Sequence, residues 1–89
     1  MAGFTGMDIA QVKDLANRMR TKADEIDGIS RELTNALGNA QWVGPDRQKF
    51  EGDWNGQYVT ALRNVTEALK EAAQRADSNA TQQEQASNA

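Results

Sequence analysis

Gln41-Trp42-Val43-Gly44-Pro45-Asp46-Arg47-Gln48-Lys49-Phe50-Glu51-Gly52-Asp53-Trp54 is the stretch on which the fold turns. It holds both tryptophans and the only proline, and it separates two long segments of helical patterning. A Gly-Pro step between two such segments reads as a hairpin tip over residues 41–45. Gly44 can take the non-helical geometry required before proline. Pro45 suits the first position of a helix, and Asp46 favours the positive end of its dipole.

Upstream of the tip, Asp8 is placed to cap a helix, with Gln11 completing a capping-box pattern. Val12, Met19, Ile26, Leu33 and Ala40 then recur at a seven-residue step. Leu15, Ala16, Ala23, Ile29, Ala36 and Leu37 fill a second row. Together they predict one apolar stripe on a helix over about 8–40. Asp14–Arg18 and Asp27–Arg31 are spaced as i,i+4 pairs on its outer surface. Gly28 falls on the polar side, where it costs about 1 kcal/mol against Ala. Gly38-Asn39 is the expected stop, in a left-handed C-terminal conformation.

Downstream, the stripe reads Phe50, Trp54, Tyr58, Ala61, Leu62, Val65, Ala68, Leu69, Ala72 and Ala76. Steps of three and four predict a second helix over about 45–76. Phe50, Trp54 and Tyr58 form an i,i+4 aromatic ladder expected to pack in the core. Gly52 and Gly56, four apart, lie on the other face. The surrounding sequence is too polar for them to mark a membrane helix contact. Residues 77–89 carry no large apolar side chain and are expected to form a flexible polar tail, as residues 1–7 form a loose N-terminus.

The totals exclude several kinds of chemistry. The 89 residues make one domain at most. The chain has neither Cys nor His, so it lacks the usual thiolate and imidazole nucleophiles, bases and metal ligands. No nucleophile–base pair, phosphate loop or metal spacing is visible, so no enzyme activity and no cofactor are expected. A net charge of −3 with dispersed basic residues argues against nucleic acid. No run approaches the ~20 apolar residues of a membrane span. The mixed charge of the polar faces argues against lying on a membrane. The N-terminus shows neither the basic nor the apolar region of a cleaved signal peptide.

An αα-hairpin buries one seam and leaves the edges of both stripes open. Each stripe spans roughly 100–120°, wider than a two-helix seam needs. The expected fold is therefore all-α: an antiparallel helical hairpin that pairs with a second one into a four-helix bundle. The residues assigned to the core or dimer stripe are Val12, Leu15, Met19, Ile26, Leu33, Leu37, Phe50, Trp54, Tyr58, Leu62, Val65 and Leu69.

Trp42-Val43-Gly44 at the midpoint, followed by Pro45-Asp46 and by Phe50 and Trp54, resembles the WXG superfamily, the small substrates of type VII (ESX) secretion, and actinobacterial members in particular. The resemblance covers nearly the whole chain. Trp54-Asn55-Gly56 is also a Trp-x-Gly, but it lies inside the second stripe, so Trp42, Gly44 and Pro45 are taken as the motif. The resemblance implies an antiparallel dimer, with itself or with a WXG-family partner. It also implies export from the cytoplasm without a cleaved signal, through a secretion ATPase. Members often carry a Tyr-x-x-x-Asp/Glu motif after the second helix. Here the only tyrosine is Tyr58, inside the helix, with Leu62 four residues on. A composite signal, the turn from this chain and the tyrosine motif from a partner, favours a heterodimer. The missing motif equally fits a cytoplasmic helical adaptor that escorts a larger substrate or has no part in secretion.

Overall fold

A computed structural model describes the backbone of residues 6–88 and the side chains of residues 6–86. The chain is helical, with no strand among the described residues. Helix α1 spans Ile9–Asn39 and α2 spans Pro45–Asp53. A π-helical turn, Trp54–Tyr58, joins α2 to α3, Val59–Asn88. From Pro45 to Asn88 the backbone is one rod of about 66 Å. That accounts for the 67 Å long axis of the molecule.

The helix starts follow the local sequence. Asp8 caps α1, its side chain accepting from the Gln11 amide at 3.1 Å. Gly44 precedes Pro45 with φ 121° and ψ −177°, and its carbonyl accepts from the Gln48 amide at 3.2 Å. The first helix stops differently from the expectation. Gly38 takes no left-handed conformation. Ala40 instead turns extended at φ −72° and ψ 139°, and its amide bonds to the Leu37 carbonyl.

Three further expectations are corrected. The second helix does not end near 76; it continues to Asn88. Ala80 is fully buried, Gln83 is half-buried and Glu84 bridges to Lys13, so 77–86 belongs to the helical pair despite its polar composition. Asp14–Arg18 forms its i,i+4 ion pair at 2.8 Å, but Asp27–Arg31 does not form. The tip is not a tight turn. Trp54 reaches Thr34 across the hairpin. Lys13–Glu84 lies four residues from the open end of each helix, so the two helices are level there. The second helix, about 66 Å long against about 46 Å for α1, thus overhangs α1 by about 20 Å at the tip, and residues 40–44 run along the overhang. The expected looseness of residues 1–5 and 89 lies outside the described residues.

The seam is made of alanine. Ala16 and Ala23 on α1, and Ala73 and Ala80 on α3, have no exposed surface. Within each helix they stand seven residues apart, the period that keeps one row facing a partner. Lys13–Glu84, at 3.1 Å, and Arg20–Asp77 cross the seam one heptad apart and mark the antiparallel register. At that register Ala16 lies level with Ala80, Ala23 with Ala73, Ser30 with Thr66, and Leu37 with Val59. Towards the tip the inward positions step five residues, from Trp54 to Val59. The π turn supplies that step, since the Val59 amide bonds to the Trp54 carbonyl.

Thr66 breaks the alanine row. It is 3 % exposed, and its hydroxyl makes no hydrogen bond. An unsatisfied buried hydroxyl carries a desolvation penalty that an apolar group of the same shape avoids. Thr66→Val is therefore expected to stabilise the fold by about 1 kcal/mol, read as a higher urea midpoint at constant m-value. A lower midpoint would show that the hydroxyl has a partner in the folded protein.

Candidate interaction surface

The two sides of the seam have opposite character. Counting from the buried row, Lys13, Arg20, Asp77 and Glu84 flank it on one side, where they pair across the helices. The other flank carries the large apolar residues. Leu15, Ile29 and Leu33 from α1, Phe50 from α2, Tyr58 from the π turn and Val65 from α3 all remain exposed. Ile29 is 51 % exposed and Val65 is 48 %. Around them lie the exposed alanines Ala36, Ala61, Ala68 and Ala72. Together these residues make a largely apolar face, broken by Lys22 between Leu15 and Ile29, that stands exposed in the single chain.

The predicted stripe residues divide between seam and open face. Val12, Met19, Ile26, Leu37, Trp54, Leu62 and Leu69 are half-buried beside the seam, whereas Leu15, Leu33, Phe50, Tyr58 and Val65 are exposed. None of these is fully buried in the single chain. The buried positions of α1, Ala16 and Ala23, belong to the stripe read off the sequence; those of α3, Thr66, Ala73 and Ala80, lie one row round the helix from it. Large side chains dominated that reading, while the small ones make the intramolecular contact.

The expected aromatic ladder is split in two. Phe50 stacks on Trp42, with ring centroids 5.5 Å apart and planes at 47°. Trp54 pairs with Tyr58 at 6.4 Å. Phe50 and Trp54, four residues apart, make no ring contact with each other. Trp54 also donates from Nε1 to the Thr34 hydroxyl at 2.8 Å, tying the π turn to α1. Leu33, Ala36, Leu37, Phe50 and Trp54 line a shallow apolar groove beside that bond.

At the tip, the Trp-x-Gly residues are held in a defined shape. Arg47 donates from Nη1 to the Trp42 carbonyl at 2.8 Å and from Nε to Glu51 at 3.0 Å. This clamp and the Phe50 ring fix Trp42, which is 39 % exposed. Val43 beyond it is 94 % exposed. The tip is therefore a partly exposed apolar projection. Arg47 was not among the residues picked out from the sequence. Its spacing to Glu51 showed a generic helix pair, and nothing local signalled the bond to Trp42.

Among the described residues no helix is long and apolar enough to cross a membrane. Comparison with protein-family models, curated proteins and solved structures returned no match.

The tip geometry depends on Gly44, whose positive φ strains any other L-residue. Gly44→Ala is expected to cost about 1–3 kcal/mol in thermal unfolding, although the space around its Cβ is empty. A neutral substitution would mean that the tip adopts a different backbone path.

Proposed function

We propose that this chain acts by protein–protein interaction, as a small substrate of type VII (ESX) secretion or as the dimer partner of one. Its apolar face takes a second helical hairpin and the pair closes into a four-helix bundle. The observation that carries this reading is the distribution of burial. Among the described residues no large side chain is fully buried, while Leu15, Ile29, Leu33, Phe50, Tyr58 and Val65 stand exposed on one side. An alanine seam removes little apolar area from water, and a domain this small rarely gains more than ~3–5 kcal/mol from one core. An exposed, largely apolar face of this kind marks an interaction site.

The Trp-x-Gly tip supports the secretion reading. Trp42 is clamped and partly exposed between the two helices, ready to be read by a receptor such as a secretion ATPase. With no Tyr-x-x-x-Asp/Glu motif in the chain, the second half of the signal comes from the partner. The partner is then a WXG-type hairpin, and the working unit is a heterodimer.

Two experiments separate pairing from export. Ile29→Asp and Val65→Asp place a charge on the apolar face without touching the seam, so each should leave the hairpin helical and split the complex in sedimentation. An unchanged complex would remove this face as the interface. In cells with an active type VII system, Trp42→Ala should abolish export while shifting Tm by only a few degrees. Export that falls only with the folded fraction would make Trp42 structural. Retention of the wild-type chain inside such cells would rule out the cargo role and leave that of an escort.

A further inference from the structure

We infer that a notch between α1 and α3, on the ionic side of the hairpin, is a receptor for a single carboxylate of an acidic protein segment, held by Arg31 and Arg63. The inference does not rest on the pairing reading. Asp27 and Thr34 continue the Lys13–Arg20 row at seven-residue steps, and Arg63 continues the row of Asp77 and Glu84. The notch is therefore on the side opposite the apolar face and stays open when that face is covered.

Arginine pairing carries the argument. The chain has six arginines. Arg18, Arg20, Arg47 and Arg75 are each in an ion pair. Among the described residues Arg31 and Arg63 have no partner, and both line this notch, one from each helix. Each has a carboxylate at i,i+4 spacing, Asp27 for Arg31 and Glu67 for Arg63, yet neither pair forms. Two guanidinium forks facing one space are suited to planar, bidentate recognition of a carboxylate.

The remaining lining sets the charge and shape of the ligand. The notch measures about 380 Å³. Ser30 and Asn35 line it with side chains that make no hydrogen bond among the described residues. Val59 and Leu62 supply an apolar wall for the methylenes of a Glu or Asp. Asp27 brings one negative charge against two positive ones. A singly charged carboxylate leaves this set neutral, whereas a doubly charged phosphate leaves it with an excess negative charge beside Asp27. Thr34 is fixed on both sides, donating to the Ser30 carbonyl at 2.8 Å and accepting from Trp54. The π turn ends at Tyr58, directly before Val59. Such turns occur frequently at functional sites.

The test is an NMR titration of the ¹⁵N-labelled full chain with an N-acetylated, C-amidated tetraglutamate peptide, and with inorganic phosphate at matched ionic strength. The peptide should shift the Nε–Hε signals of Arg31 and Arg63 saturably and leave Arg18 and Arg75 in place. Phosphate should bind more weakly than the peptide. Arg31→Gln and Arg63→Gln should each weaken the peptide by about tenfold or more. Arg31→Lys, which keeps the charge and the helix but loses the fork, should weaken it as well. Asp27→Asn should raise phosphate binding. Equal shifts at all the arginines, phosphate binding as tight as the peptide, or no shift at all would overturn the assignment.

Discussion

The contact between Ala16 and Ala23 on one helix and Ala73 and Ala80 on the other is the constraint from which the rest of the structure follows. Alanine at every seventh position lets two helix backbones approach closely. It also means that the hairpin closes without using its large side chains. Leucine, isoleucine, valine and the aromatics are displaced to one flank and the ion pairs to the other. The chain is two-faced because its seam is small.

That division assigns different duties to residues that look alike in the sequence. Leu62 and Leu69 border the seam, while Val65 between them stands on the open face. Trp54 ties the helices together through Thr34, whereas Trp42 is held outward by Arg47 and Phe50. The π turn is the adjustment that makes both tryptophan positions possible. Its extra residue re-phases α2, so that Phe50 meets the tip segment while α3 keeps its alanines inward. The ionic flank is equally divided. Two ion pairs cross the seam towards the open end, and two unpaired arginines face the notch nearer the tip.

Much of the architecture was legible from residues with a local mechanism. Asp8 caps as its position implies, and Gly44-Pro45 starts the second helix with the backbone that only glycine accepts readily. The seven-residue recurrence announced two long helices. In the second helix the sequence concealed which row forms the seam, because a hydrophobic stripe is weighted by large side chains and alanine contributes little to it; in the first, Ala16 and Ala23 stood within the stripe. The same bias cut the second helix short at 76, since Ala80, Gln83 and Glu84 hold their place by contacts with α1 that no local pattern announces. Asp27 and Arg31 have the right spacing for an ion pair, but spacing alone does not decide whether long exposed side chains meet. The notch formed with Arg63 belongs to the hairpin register and has no signature in either helix.

The central claim is that the apolar face from Leu15 to Val65 is covered by a second hairpin in the working protein. The most direct measurement is the native mass of the intact assembly isolated from cells that make the wild-type chain. The account predicts a two-chain complex, this 9.8 kDa chain with a second helical chain of similar size, whose separation exposes apolar surface and lowers Tm. A monomer of 9.8 kDa that unfolds cooperatively at micromolar concentration, with its apolar face bare, would contradict it.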